Sequence, residues 1–331
     1  MKNILMENIN NSKKIAIFSH INPDADALCS SCALKNIIRN NFDEKFVDIF
    51  IDGEISELYD PILRNEVINP KPYSSYDLAI VLDCPSMQRI GAYQSLAKSI
   101  PNVINIDHHE TNEKFANINI VAPKTSSTCE IIYHIAKALN CDINNVIAKE
   151  IYQGIITDTN CFTSLSLTPK THQVISELMK FKFNANLIKE YYFKNNTKDK
   201  TLLLSKALQT LKFYSNQMIT TMKIPNEIFS KLDVTFEDTM GLVDNAINIE
   251  NTIVGAIFIE KEPQKIYCSL RSKGMVNVGK IAKKFNGGGS ETVAAFQAKG
   301  DIKEIEKQLV ESVSPFLKDL KDVSLEEKTL F

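Results

Sequence analysis

Short apolar runs alternate with stretches of helical spacing through the first half of the chain. Lys14 to His20 (KIAIFSH), Phe46 to Ile51, Leu78 to Asp83 and Val103 to Asp107 each read as a buried strand. Asp26 to Ile38, between the first two, carries its apolar residues at helical spacing. Unbroken Ile, Val and Leu runs belong to strands buried on both faces, so the intervening helices are expected to cover a parallel sheet. Thr125 to Leu139 follows as a helix with Ser and Thr at its start as candidate caps and Ile131, Ile132, Ile135 and Leu139 as its apolar face. Further helices are expected over Asn144 to Thr157 and Lys170 to Phe181.

The pattern changes near Lys189 to Lys200, whose second half is polar. This stretch reads as a boundary: residues 1–188 form one domain, 189–213 a linker with a helix near Thr201 to Phe213, and 214–331 a smaller second domain. In the second domain, Met218 to Ile224, Thr252 to Glu260 and Lys265 to Arg271 read as strands, and Val278 to Phe285 and Ile302 to Leu320 as helices. The expected class is α/β: a Rossmann-like parallel-sheet domain and a smaller α/β domain, with a cleft between them. No repeat is present, and the only biased tract is the charged tail Ser324 to Lys328.

Composition narrows the function classes. With 44% apolar and 24% charged residues in 331, the chain has ample surface to bury and is not a disordered polymer. The 38 Lys and Arg nearly balance the 40 Asp and Glu, giving a formal charge of -2, which excludes a globally basic nucleic-acid coat but not a local basic patch. No apolar run is long enough to span a membrane. The start, MKNILMENINNSKK, lacks an apolar signal core and a small-residue cleavage site, so a cytoplasmic protein is expected. Seven scattered Cys, an odd number, point to reduced thiols rather than a disulfide framework.

The candidate chemistry gathers at strand ends. His20, Asp83 and Asp107 end predicted strands, Asp107 is followed by His108 and His109, and the loop after the first strand adds Asp24 and Asp26. In an open parallel sheet, ligands bind beyond the carboxyl ends of the strands, so these residues converge although they are far apart in sequence. One Asp at a strand end is usually a cap or turn residue; the joint pattern is not explained that way. Several carboxylates in one place repel each other unless a cation neutralises them. Carboxylate with imidazole suits manganese and tolerates magnesium, iron or cobalt. Six or seven ligands exceed one open site; two ions about 3.5–4 Å apart sharing a carboxylate fit better, and such pairs carry out phosphoester hydrolysis.

The motifs resemble a known family. His20-Ile21-Asn22-Pro23-Asp24-Ala25-Asp26 resembles the first motif of the DHH phosphoesterase superfamily, Leu82-Asp83-Cys84 with Arg89 and Gly91 the second, Asp107-His108-His109 the third, and Gly154-Ile155-Ile156-Thr157-Asp158-Thr159 the fourth. Ser269-Leu270-Arg271-Ser272, Val278-Gly279-Lys280-Ile281-Ala282 and Gly287-Gly288-Gly289 resemble the DHH-associated C-terminal domain. The resemblance covers nearly the whole chain in order and is nearest to the bifunctional oligoribonuclease and PAP phosphatase (nano-RNase) group. It implies that His20, Asp24 and Asp83 hold one metal ion, and that Asp26, Asp83, His108 and Asp158 hold another, with Asp83 bridging. The two divalent ions would be manganese (Mn2+) foremost, magnesium or cobalt otherwise. His109 would face the scissile phosphate, and Asp107 would orient the histidines from behind. Asp158 is assigned by the resemblance alone, since it falls in a predicted helix.

Substrate contacts are expected from Arg89, Arg271, Gly287, Gly288, Gly289 and Ser290. Arg271 offers a bidentate phosphate contact, and the glycines allow close backbone approach and exposed N–H groups for a phosphate. Ser290 stands where the family pattern usually has His, so recognition of the terminal nucleotide is expected to differ. The implied activity is hydrolysis of very short oligonucleotides to 5′-mononucleotides, with PAP as a further substrate. A cyclic-dinucleotide (c-di-AMP) or linear-dinucleotide phosphodiesterase shares every motif, and an inorganic pyrophosphatase or a non-catalytic nucleotide-binding module remain alternatives. The partner is thus a short oligonucleotide or nucleotide; no membrane is implied, and a homodimer is compatible with the group. Cys29-Ser-Ser-Cys32 lies in a predicted helix without a second pair and is read as two buried thiols. His134 and His172 are read as structural. Lys273, Lys280, Lys283 and Lys284 form a positive stretch read mainly as a solvated face.

Overall fold

A computed structural model describes residues 2–64, 66–164 and 166–318; the charged tail at 324–328 and the end of the last expected helix lie outside them. The chain divides into two compact units, residues 1–195 and 196–331. Among the described residues, no helix is long and apolar enough to cross a membrane.

The first unit runs α1 (Lys2–Asn11), β1 (Lys14–Phe18), α2 (Ala25–Asn41), β2 (Phe46–Phe50), α3 (Asp60–Leu63), β3 (Leu78–Leu82), α4 (Gln94–Ser99), β4 (Asn102–Asp107), β5 (Ile118–Val121), α5 (Thr128–Leu139), α6 (Asn145–Asp158), α7 (Pro169–Leu178) and α8 (Ala185–Phe193). Its five strands form a sheet in the order β2-β1-β3-β4-β5, all parallel. Each central strand buries both faces, as the continuous apolar runs require. Ile15 and Ile17 of β1 pack with Ile80 and Leu82 beneath α2, α5 and α6. Ala16 and Phe18 point the other way, with Phe50 and Val81, toward Ile90 and Ala97. The strand order reverses direction between β1 and β3, which is where open α/β sheets place their ligands.

The second unit runs α9 (Lys198–Leu208), β6 (Lys212–Tyr214), β7 (Ile219–Ile224), α10 (Asp244–Ile247), β8 (Val254–Glu262), β9 (Lys265–Ser272), α11 (Val278–Lys283), β10 (Gly288–Gly289), β11 (Val293–Lys299) and α12 (Ile302–Lys318). Its six strands lie in the order β10-β11-β9-β8-β7-β6. Only β7 and β8 pair in parallel; the other pairs are antiparallel. One face packs Phe258, Cys268, Leu270 and Phe296 against Ile281 of α11 and Leu309 and Val313 of α12. The other packs Met222, Ile224, Ile257 and Ile259 against Leu203 and Ala207 of α9 and Ala246 of α10.

The main sequence-predicted elements are present, and the differences have local causes. The helix expected over 201–213 ends at Leu208, because Phe213 and Tyr214 pair with Thr220 and Ile219 in a hairpin. The helix expected from Thr125 starts at Thr128, since Ser127 is its cap and accepts from the Glu130 N–H. Helices α1, α3, α4, α8 and α10 and strands β5, β6, β10 and β11 were not expected.

Candidate metal centre and substrate face

The first unit brings together all eight metal-site and catalytic residues expected from the sequence. His20, Asp24 and Asp26 follow β1, Asp83 follows β3, and Asp107, His108 and His109 lie at the end of β4. Asp158 is the last residue of α6. Three sets of donors form: His20, Asp24 and Asp83; Asp26, His108 and Asp158; and Asp83, His108 and His109, each with its ligand atoms within 4.8 Å of one another. Asp83 and His108 each belong to two sets. The His20 Nε2 lies 3.8 Å from Asp24 Oδ1 and 3.6 Å from Asp83 Oδ2. The His108 Nε2 lies 3.5 Å from Asp83 Oδ1 and 3.7 Å from Asp158 Oδ2.

Local structure fixes each donor. Asp24 caps α2, its Oδ1 accepting from the Ala27 N–H at 2.9 Å. The buried Asp26 accepts from the Thr128 and Cys129 N–H groups at the start of α5, at 2.7 and 3.0 Å. The helix N-terminus thereby orients this carboxylate. Asp83 sits at φ 57, a left-handed conformation held by its N–H on Ile106 O. Such a conformation is uncommon for a non-glycine residue and costs on the order of 1–3 kcal/mol. The Thr128 hydroxyl donates to Asp83 Oδ1 at 2.9 Å. Gly154 lets α6 come close: a Cβ there would lie 2.2 Å from Cys129 Sγ and 2.8 Å from Asp26 Oδ1.

Behind the histidines, Asp107 is fully buried. Its Oδ1 lies 2.7 Å from His109 Nδ1, and its Oδ2 accepts from Asn112 Nδ2 at 2.6 Å. Asn112 also donates to Asn105 Oδ1 and the Cys84 carbonyl. Thr128 and Asn112 escaped the sequence analysis. Thr128 lies in a Ser/Thr stretch read only as caps, and nothing local to Asn112 marks it.

The electrostatics describe a crowded acidic centre. Burial, then the Asp83 and Asp158 charges, pushes the Asp26 carboxyl well up. Burial, then Asp83 and Asp24, pushes Asp158 up to about 8. Burial works to lower His20 and His109, but Asp24 and Asp83 raise the first to about 10, and Asp107 and Asp83 raise the second to about 9. A donor set of hard carboxylate oxygens and imidazole nitrogens with this mutual repulsion fits divalent cations. Beside it, a cavity of about 230 Å³ is lined by Asp24, Asp26, Asp158, Tyr59 and Tyr192.

The expected substrate residues divide. Arg89 is exposed beside the centre, its Nη2 3.5 Å from His20 Nδ1. In the second unit, Arg271, Gly288 and Gly289 line a cavity of about 410 Å³ with Tyr267, Phe236 and Ser269. Arg271 Nε donates to Asp244 Oδ1 at 3.0 Å. Gly287 and Gly289 are required by packing, since a Cβ would lie 2.2 Å from Ala295 O and 2.3 Å from Val293 O respectively; only Gly288 faces open space. Ser290 lies outside that lining, in the turn before β11, where its Oγ accepts from the Val293 N–H at 3.1 Å.

The other residues singled out in the sequence lie apart from both cavities. Cys29 and Cys32 are buried, and all seven thiols are free. His134 faces Glu130 at 3.6 Å and the His172 ring lies 5.9 Å from that of Phe162. None of Lys273, Lys280, Lys283 and Lys284 lines the Arg271 cavity.

Residues 14–157 match the DHH family N-terminal domain and residues 219–319 the DHHA1 domain. The chain is 29% identical over 295 residues to the bifunctional oligoribonuclease and PAP phosphatase NrnA of Bacillus subtilis, covering 87% of this chain and 90% of that one. It is 26% identical over 337 residues to the cyclic-di-AMP phosphodiesterase PdeA of Listeria monocytogenes, covering 95% of this chain but 49% of that one. The fold is shared with an exopolyphosphatase-related protein of Bacteroides fragilis, with a TM-score of 0.84, 24% identity, and 96% and 97% of the two chains covered. DHH phosphoesterases are metal-dependent, and the donor sets described above are the candidates for that role. The chain belongs to the DHH family and is a phosphoesterase, a hydrolase of phosphoester bonds built from a DHH N-terminal domain and a DHHA1 domain.

Proposed function

We propose that the protein hydrolyses very short oligonucleotides to 5′-mononucleotides and takes 3′,5′-bisphosphates such as PAP at the same centre. The observation that carries this reading is the convergence of three donor sets on shared Asp83 and His108. It is supported by a separate cavity, on the DHHA1 side of the chain, that pairs an arginine with aromatic rings. In this reading His20, Asp24 and Asp83 hold one divalent ion and Asp26, Asp83, His108 and Asp158 a second, manganese being the best match to the donors. When bound, such ions lower the pKa of a water and polarise phosphoryl oxygens.

The chain's own residues do the rest. Thr128 and the start of α5 hold Asp83 and Asp26 in place. Asp107 engages His109 at Nδ1, which leaves Nε2 directed to the phosphate or the leaving oxygen as a hydrogen-bond donor. Arg89 contacts a phosphate beside His20. Arg271 holds a phosphate of the bound nucleotide while Tyr267 or Phe236 meets its base. Ser290 carries no nucleotide contact in this reading, its hydroxyl serving the turn.

The likeness to PdeA favours one second reading, a phosphodiesterase of c-di-AMP or of its linear dinucleotide. A turnover panel in manganese separates the two. It compares pApA, RNA and DNA oligomers of increasing length, PAP, c-di-AMP and pyrophosphate. Fastest cleavage of the shortest RNA oligomers is expected. Preference for c-di-AMP selects the second reading, and turnover of pyrophosphate alone overturns both.

A further inference from the structure

The turn that carries Arg89 is pinned on both sides of that residue. It runs over Met87–Tyr93, after β3, as a short 3-10 helix. The Arg89 carbonyl accepts from the Ile21 N–H at 2.8 Å. Ile21 lies between His20 and Asp24, so this bond ties the turn to the loop that supplies two candidate ligands. Further along the turn, the Ala92 N–H donates to Asp52 Oδ2 at 2.7 Å. Asp52 stands just past the end of β2, 40 residues earlier in the chain than Ala92.

Gly91, between these two bonds, lets the turn close. Its backbone has φ 67 and ψ -131, a conformation that residues with a Cβ rarely adopt. A Cβ there would lie 2.2 Å from Asp52 Oδ2 and 2.3 Å from Ile21 Cγ2. The backbone therefore passes directly between the carboxylate and the Ile21 side chain. Asp52 is itself held in place. Its Oδ1 accepts from the Gly53 N–H at 2.9 Å, and its carbonyl accepts from the Asn22 N–H at 3.1 Å. The loops that follow β1, β2 and β3 are thus clasped around one partly exposed carboxylate.

An Asp before a Gly commonly serves its own turn, and the contact with Gly53 is of that kind. The contact with Ala92 is not, because it joins two loops that are distant in sequence. A carboxylate accepting from an N–H makes a charge-assisted bond, among the stronger hydrogen bonds. Beyond the clasp, the exposed Arg89 side chain reaches the centre, its Nη2 3.5 Å from His20 Nδ1.

We propose that Asp52 is a positioning residue for Arg89: its carboxylate fixes the turn through the Ala92 N–H, so that the guanidinium is held beside His20 for a substrate phosphate. The proposal rests on the reading of Arg89 as a phosphate contact and names the group that aims it. Asp52 acts through the backbone and does not touch the substrate.

The test is a double-mutant cycle in the full chain: wild type, Asp52→Ala, Arg89→Ala and the two combined, with pApA turnover and Mn2+ binding measured for each. Arg89→Ala is expected to raise KM about ten-fold or more, with a smaller change in kcat. Asp52→Ala is expected to raise KM about three- to ten-fold in the wild-type background and less than about two-fold beside Arg89→Ala, since the two act on one contact. Asp52→Asn, which keeps an acceptor oxygen for Ala92, is expected to stay within about two-fold of wild type. Mn2+ binding is expected to be the same in all. Wild-type behaviour of Asp52→Ala, or an equal loss in both backgrounds, overturns the proposal. If Arg89→Ala matches wild type, or the wild type leaves pApA intact, the functional reading fails and hydrogen exchange decides the clasp separately. Faster exchange in Asp52→Ala confined to residues 87–93 upholds it; unchanged or chain-wide faster exchange overturns it.

Discussion

In the five-stranded sheet, ionisable groups are gathered at the carboxyl ends of β1, β3 and β4; in the six-stranded sheet they are spread along one open face of β9 and β11. Asp26, Asp83 and Asp107 are buried and held by backbone N–H groups, Thr128 and Asn112. Lys265, Lys299 and Gln297 are exposed, and Lys265 pairs with the exposed Glu262 at the end of β8. Concentrated, desolvated charge suits a cation that must be bound in one geometry, whereas dispersed, solvated charge holds no ion in a fixed place. The difference teaches that holding an ion asks convergence and burial of charged groups, while charges on an open sheet face stay solvated and ask only access.

The comparison breaks most sharply at Asp83. Replacing it by Ala removes the donor shared by two sets and should bring turnover on any phosphoester to assay background, even with excess manganese. The supporting residues come next. Thr128→Val and Asn112→Leu each remove one hydrogen bond from a buried carboxylate and should cost roughly 10–100-fold in activity or metal affinity, with Thr128→Ser restoring most of it. If Thr128→Val matches wild type in steady-state assays, the positioning role of the α5 start is wrong. Packing of the acidic centre is tested by Gly154→Ala. The added Cβ meets Cys129 Sγ and should destabilise the fold by about 1–3 kcal/mol in thermal or urea unfolding. Combination with Cys129→Ala should return part of that loss.

A pH effect concerns a buried carboxyl away from the ligands. Burial pushes Glu150 up to about 8, although Asn36 donates to both its oxygens. Its unfolded value is 4.5, so the native state binds the extra proton between these limits. Its contribution is fully present below about pH 4.5 and is lost as pH rises through about 8. Glu150→Gln should therefore gain stability relative to wild type on going from pH 5 to pH 8, read by urea titrations at both values. A difference that stays constant with pH contradicts the assignment.

Much of this was legible in the chain because strong local signals coincide with function. The four unbroken apolar runs became β1 to β4, and the residues that end three of them, His20, Asp83 and Asp107, became part of the centre. Strand β11 was missed because VAAFQAK alternates weakly, with small Ala at buried and exposed positions alike. Helix α8 was missed because it ends in the polar stretch read as a boundary. Asp158 lay beyond spacing arguments, since its place depends on how α6 packs through Gly154 against α5, a tertiary fact. Thr128 and Asn112 were hidden for the same reason. The glycine triplet was read as a ligand loop; the tight approach of β11 demands Gly287 and Gly289, while Gly288 and Gly289 line the Arg271 cavity.

The claim that the acidic centre is a shared two-ion site is tested most directly by titrating Mn2+ into the metal-free protein and into Asp83→Ala, followed by calorimetry and electron paramagnetic resonance. The account predicts two equivalents bound by the wild type, with a spin-coupled signal that disappears in the variant along with most of the affinity. A single uncoupled ion, or an unchanged titration in Asp83→Ala, would contradict it.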